Sequence, residues 1–296
     1  MNTSSQPIRI GVRSVLTPFV VAALLLVVLI SGACSIAPGA DSAPASGGTL
    51  FVGGGGRLPD EVFDAFAEAS GARGGTLVVI PTASRRADEE DGRASIVETW
   101  NGRGFPDVRL LHTRDRAVSD SEGFVALLDS ADAVWIGGGD QNRLADAYRD
   151  TQTQSRLQKF LDDGGVIGGS SAGAAIVSDP MIGGGRDAPR IVGGLGLWPG
   201  VIVDQHFSQR GRFHRLRLAV NASADSIGEG IGEGIGEAVG VGVDERTAVV
   251  VRGDQVEVLG EGRVALVTRR ARDSAERAGQ TLRVEWLDAG EPRRLR

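Results

Sequence analysis

Apolar and polar residues fall along this chain in two alternating patterns. Short unbroken apolar runs end in glycine or a turn residue, and between them lie segments with apolar positions three and four apart. "TLFVGGGG" (49–56) and "TLVVIPTAS" (76–84) are runs of the first kind and predict buried strands, and "DVRLLHT" (107–113), "AVWIGGG" (133–139) and "VIGGSS" (166–171) predict three more strands. "PDEVFDAFAEASG" is of the second kind, with Val62, Phe63, Phe66 and Ala69 on one helical face, Pro59 at its start and Gly71 at its end. "SIVETWNGRG", "EGFVALLDS", "NRLADAYRD" and "SRLQKFLDDGG" predict further helices, and "AGAAIVS" opens another after residue 171. Strand and helix alternating over short connections predict an α/β fold, with a mostly parallel, doubly wound sheet covered on both faces.

Beyond residue 200 the pattern changes. "VIVDQHF" (201–207) predicts a strand and "RFHRLRLAVN" a basic helix. "AVGVGVDERTAVVVRGDQVEVLGEGRVALV" predicts hairpins, with turns at Arg252-Gly253-Asp254 and Gly260-Glu261-Gly262. Residues 227–237 repeat Ile-Gly-Glu at a period of four. A helix there would stack Glu229, Glu233 and Glu237 as like charges and place glycine at every second position, so a loop is expected, with no chemistry assigned.

The N-terminus reads as a targeting segment. Arg9 and Arg13 precede an apolar run from Val20 to Ile30, too short for a comfortable membrane span, and small residues lead to Cys34. Residues 1–34 are expected to be a secretory signal. Cys34 stands where a lipobox would place it, although Ser31 occupies the usual leucine position, and a plain signal peptide cleaved nearby is the alternative. Residues 35–48, rich in Ser, Ala, Pro and Gly, predict a flexible tether, and residues 49–296 a single domain. Cys34 is the only cysteine, which excludes an intramolecular disulfide. A formal charge of −6 does not suggest a nucleic-acid partner. A homodimer is compatible with the sequence but not specified by it.

Ligands in doubly wound sheets sit beyond the C-terminal strand ends. Glycine clusters occupy three such ends, at 53–56, 137–139 and 168–169. The first is no dinucleotide fingerprint, because Leu58 stands where the last glycine would be needed. The third opens Gly169-Ser170-Ser171-Ala172-Gly173, a Gly-x-Ser-x-Gly sequence between a predicted strand and a small-residue helix. That is the setting of a nucleophile elbow, although 44 glycines in the chain also make a plain Gly/Ser loop a real alternative. With Ser171 as nucleophile, the Ala172 N–H at a helix start and an N–H of the 137–139 turn, assigned to Gly139, would face a developing oxyanion.

A serine nucleophile needs a base, and three histidines are present. His214 lies among arginines on a helix surface, His112 ends a strand, and His206 closes "VIVDQHF" at the sheet end where a site would lie. His206 is favoured by position. Asp204 shares its strand face and points the same way, so it neighbours the ring without gripping it. Asp179 and Asp187 lie between serine and histidine, and the spacing does not choose between them. Arg210, Arg212 and Arg215 follow closely and suit carboxylates, or form a solvated helix face. No His/Cys/Asp cluster has metal-ligand spacing, so neither metal nor cofactor is expected.

"GGSSAGAA…MI", "GLGLWPGVIVDQHFSQRGRFHRL", "GGGDQNRL" (137–144) and "GVDERTAVVV" (242–251) together resemble the cyanophycinases of peptidase family S51, in order and over roughly residues 48–270. The resemblance implies a glutamine-amidotransferase-like three-layer fold and serine hydrolysis of multi-L-arginyl-poly-L-aspartate (cyanophycin) to β-aspartyl-arginine dipeptides. It implies Ser171 as nucleophile and His206 as base, with Gln141, Asp204, Gln205, Arg210, Arg212 and Arg215 around the substrate. Polymer or aspartyl-arginine peptide units would offer carboxylates to the arginines and a guanidinium to an acid such as Asp204. It also implies a triad acid in the segment between elbow and histidine, where Asp187 is the choice and Asp179 stands behind it. Ser170 departs from the family's usual threonine, and that segment is shorter than usual.

Overall fold

The computed structural model describes residues 47–227, 239–269, 282–290 and 292–295. Cys34, most of the tether and most of the Ile-Gly-Glu repeat lie outside the described residues.

Five of the predicted strands form the parallel heart of one sheet. They are β1 (Thr49–Gly53), β2 (Thr76–Ile80), β3 (Asp107–Leu110), β4 (Ala133–Ile136) and β5 (Val166–Ser170), in the order β1-β5-β4-β2-β3. Successive side chains feed opposite layers. Leu50, Val52, Val78, Ile80, Val134 and Ile136 enter one core, while Phe51, Leu77, Val79, Ala133 and Trp135 enter a second. The second core is closed by α1 (Asp60–Ser70) through Val62, Phe63 and Phe66, and by α2 (Glu90–Asn101) through Trp100. The first is closed by α5 (Gln141–Tyr148), α6 (Gln152–Asp162) and α7 (Ala172–Ala175). Two single-turn helices, α3 (Arg116–Ser119) and α4 (Glu122–Val125), lead to β4. Both faces are therefore covered, and the apolar character of β1, β2, β4 and β5 follows from burial on two sides.

The C-terminal half departs from the hairpin expectation. β6 (Met181–Gly184) and β7 (Arg190–Val192) form a small two-stranded ribbon. β8 (Val201–Gln205) lies outside the main sheet, parallel to β9 (Val239–Val243) in a second, four-stranded sheet of order β13-β12-β9-β8, where β12 is Val264–Arg269 and β13 Leu282–Leu287. α8 (Phe213–Ile227) covers this sheet through Leu216, Ala219 and Val220, and the sheet's other face shares the first core. β10 (Thr247–Arg252) leaves β9 after only three residues and crosses into the main sheet antiparallel to β1, followed by β11 (Gln255–Gly260) and β14 (Arg293–Arg294). Only the Arg252-Gly253-Asp254 turn closes a hairpin, between β10 and β11. Gly260-Glu261-Gly262 instead carries the chain back to the second sheet.

Candidate active site

Ser171 sits between β5 and α7 with φ 55 and ψ −108, a backbone conformation that costs a non-glycine residue about 1–3 kcal/mol. The turn is tight because its two flanking glycines are pressed on backbone. A Cβ on Gly169 would lie 2.4 Å from the Gly173 carbonyl oxygen, and one on Gly173 would lie 2.0 Å from that of Ile136. Small side chains before and after the serine therefore let the strand, the turn and the first turn of α7 stack. Ser171 N–H donates to the Gly53 carbonyl at 2.9 Å, which anchors the elbow to β1.

His206 follows β8 with φ 46, its N–H donating to Gly54 O at 2.7 Å. Its Nε2 is 2.8 Å from Ser171 Oγ. Its Nδ1 is 2.6 Å from Glu245 Oε1. A carboxylate only accepts, so Nδ1 carries the proton and the Nε2 lone pair is left for the serine hydroxyl. The imidazole is nearly buried, against Gly55, where a Cβ would lie 2.4 Å from Cε1. Burial pulls the His206 pKa below its ordinary value, and Arg210 and Arg212 push the same way against the opposing pull of Glu245. The ring is thus neutral, and able to accept a proton, at neutral pH.

Glu245 replaces both expected acids. Asp187 lies exposed in the connection between β6 and β7, and the Asp179 carboxylate accepts from Gly194 N–H at 3.2 Å. Neither reaches the imidazole. Glu245 does so because β8 and β9 are parallel neighbours with Gln205 paired to Val243, so both strands deliver their next residues to one place. Gln209 Oε1 accepts from Glu245 N–H at 2.9 Å, and the buried Asp244 carboxylate accepts from Ser208 N–H at 2.9 Å. These bonds tie the histidine turn to the glutamate turn. The available signal was the charged Asp244-Glu245-Arg246 triplet ending an apolar strand, inside "GVDERTAVVV".

The 137–139 turn abuts the nucleophile, since a Cβ on Gly138 would sit 3.5 Å from Ser171 Cβ. Among the described residues, the N–H groups of Gly138, Gly139 and Ala172 donate to no protein acceptor, which leaves them for an oxyanion. The turn is laid against residues 81–84, with Asp140 N–H donating to Ala83 O at 3.0 Å. Arg114 fixes those residues by donating to Thr82 O at 2.8 Å and Ser84 O at 2.9 Å, and Arg143 donates to Ala83 O at 3.1 Å.

Of the residues expected around a substrate, Asp204 is the clearest correction. It is fully buried, and its carboxylate is taken by the chain's own arginines: Arg215 Nε donates to Oδ2 at 2.9 Å, Arg215 Nη2 to Oδ1, and Arg212 Nη1 lies 3.4 Å from Oδ1. A buried carboxylate left open for a ligand's guanidinium would be severely destabilising without this pair. Gln205 is also internal, accepting from Arg212 through its carbonyl and its Oε1. Gln141 Nε2 donates to Ile182 O at 2.8 Å and Arg215 Nη1 to Gly185 O at 2.6 Å, so the two clamp the β6–β7 ribbon from opposite elements. Arg210, exposed and without an ion pair among the described residues, lines a cleft with Arg186, Arg212 and Arg215. His112 is engaged elsewhere, with Thr82 and Asp88.

A nucleophile elbow, a carboxylate-oriented imidazole and N–H groups turned toward the serine on an α/β sheet are the parts of a serine hydrolase, and the family match makes it a serine-type peptidase. The chain belongs to Peptidase family S51, whose profile matches residues 50–259. It is 32% identical over 220 residues to the cyanophycinase of Geminocystis herdmanii, covering 71% of this chain and 76% of that protein. It is 33% identical over 219 residues to that of Synechococcus elongatus, covering 71% of this chain and 64% of that protein, just under two thirds of its length. Among solved structures it is similar to a peptidase from an acI-B1 Actinobacterium, with 25% identity and a TM-score of 0.56, covering 84% of this chain and 97% of that one.

Proposed function

We propose that this chain is an exported peptidase that hydrolyses cyanophycin to β-aspartyl-arginine dipeptides. The observation that carries the reading is the hydrogen-bonded Ser171–His206–Glu245 array beside the arginine-lined cleft. The likeness to cyanophycinases supports the substrate. Ser171 Oγ attacks the aspartyl peptide carbonyl as His206 Nε2 takes its proton. The carbonyl oxygen becomes an oxyanion facing the N–H groups of Ala172 and the Gly138–Gly139 turn. Collapse expels the amine, which takes the proton back from His206, and water then releases the acyl group by the same steps. Glu245 holds the imidazole and stabilises its charged form. The substrate carboxylates meet Arg210 and Arg186, neither of which has an ion-pair partner among the described residues.

Incubation with cyanophycin granules and mass analysis of the products tests this. β-Asp-Arg is expected, and Ser171→Ala should reduce its release by about 10⁶-fold, as removal of a serine nucleophile does. Cleavage of short aspartyl peptides without polymer cleavage would replace the substrate assignment. Undiminished turnover in Ser171→Ala would overturn the nucleophile. Export with anchoring through Cys34 belongs to the same proposal, on the strength of the sequence around that cysteine. It predicts labelled-palmitate incorporation that Cys34→Ala abolishes.

A further inference from the structure

A second cleft, of about 770 Å³, is lined by Arg116, Asp140, Asp146, Arg149, Asp150 and Arg190. Three cations and three anions share it, yet they scarcely use one another. Among the described residues, the one ion pair within the set is Arg149 with Asp150, at 3.7 Å and largely exposed. Arg116 donates to the Asp146 carbonyl rather than to its carboxylate. Arg190 donates to Asn142 Oδ1 at 3.0 Å and Gly183 O at 2.8 Å. Asp140 accepts from Asn142 N–H and Nδ2. Opposite charges that collect in one concavity without neutralising each other suit a ligand that carries both signs.

The position of the cleft is as informative as its charge. Asp140 directly follows Gly139 of the turn that abuts Ser171. The β6–β7 ribbon borders both clefts, with Gly184 and Gly185 lining the arginine-rich one and Arg190, Val192 and Gly193 lining this one. Each Asp-Arg unit of the polymer leaves one carboxylate and one guanidinium free, spaced along a chain that must continue past the bond being cut. Resting on the polymer reading above, we propose that this mixed-charge cleft is a second subsite, holding an Asp-Arg unit next to the one under attack. Arg149 and Arg190 meet the unit's carboxylate, and Asp146 and Asp150 its guanidinium.

The test compares cyanophycin with a soluble one-unit fragment, β-aspartyl-arginine carrying an anilide on its aspartyl α-carboxyl, which has no neighbouring unit to fill the second subsite, using wild type and Asp146→Ala/Arg149→Ala. Neither side chain makes the ribbon's clamping hydrogen bonds, which come from Gln141 and Arg215, although the Arg149 guanidinium packs against Gly193 at the ribbon's end. The ratio of kcat/KM on polymer to kcat/KM on fragment should fall about tenfold, the loss of two partly exposed charge contacts. Any loss of folded enzyme cancels in the ratio. A charge-exchanged Asp146→Arg/Arg149→Asp chain should recover part of the loss. An unchanged ratio overturns the subsite. Should wild type cut neither substrate, the polymer-hydrolysis reading fails separately, and co-sedimentation of Ser171→Ala with granules decides the subsite. About tenfold weaker sedimentation with the added double substitution supports it, and equal or absent sedimentation overturns it.

Discussion

In the proposed mechanism His206 acts as a base only while neutral, and its surroundings set when that is. Burial, Arg210 and Arg212 hold its pKa below the usual value near 6.5. A group with a lowered pKa loses its proton earlier as pH rises, so kcat/KM should climb through a midpoint under that value and level off by neutrality. Arg210→Met removes a cationic neighbour and should move this acid limb to higher pH. Glu245→Gln removes the one stabilising anion, so the limb should move lower while kcat drops by about 10³–10⁴-fold, as it does when a triad acid is neutralised. pH profiles of the three proteins check both signs. Gly55→Ala should cost about 10²-fold in kcat, the size expected when a catalytic group is displaced by an ångström, because its Cβ would lie 2.5 Å from His206 Nε2. Single-turnover rates of variant shown to be folded by circular dichroism check this. Ser171 and His206 were legible in the sequence because each is marked locally, by a strand–turn–helix and by a strand end. Glu245 was not, because its contact with His206 spans 39 residues and exists only through the pairing of β8 with β9.

The elements divide in the same way. Apolar runs marked β1, β2, β4 and β5, since a strand buried on both faces needs nothing else; β3, at the sheet edge, is half-buried and keeps Asp107 and Arg109. Membership of the second sheet carried no such mark. β10, β11 and β12 read as hairpin arms, yet Gly260-Glu261-Gly262 sends β11 and β12 to different sheets, and Asp244, Glu245 and Arg246 part β9 from β10, with Arg246 at φ 61. The seam between β8 and α8 depends on one buried carboxylate. Asp204→Ala would leave Arg215 and Arg212 without their partner, and should destabilise the protein by about 3–5 kcal/mol. Urea denaturation followed by tryptophan fluorescence should show it. The resemblance placed Asp204 around the substrate; its burial against Arg215 and Arg212 makes its replacement first a stability substitution.

At the scale of the whole molecule, an acidic protein concentrates arginine near the Ser171–His206 pair. Arg210, Arg212 and Arg215 come from one stretch of sequence, and Arg186 joins them from the β6–β7 ribbon. Two of the four share the single negative charge of Asp204, a distinction that residue types alone do not reveal. The elbow also bears on the stability of the entire fold. Ser171 is held where a glycine would rest without strain, so keeping a hydroxyl there works against the native state. Ser171→Gly should therefore unfold at a higher denaturant concentration than wild type, by about 1 kcal/mol after the added freedom of the unfolded chain is subtracted. Ser171→Ala loses the same hydroxyl and keeps the strain, so it should show no such gain. Selection for sheer robustness would remove this serine, and its retention records how much durability the molecule gives up for turnover.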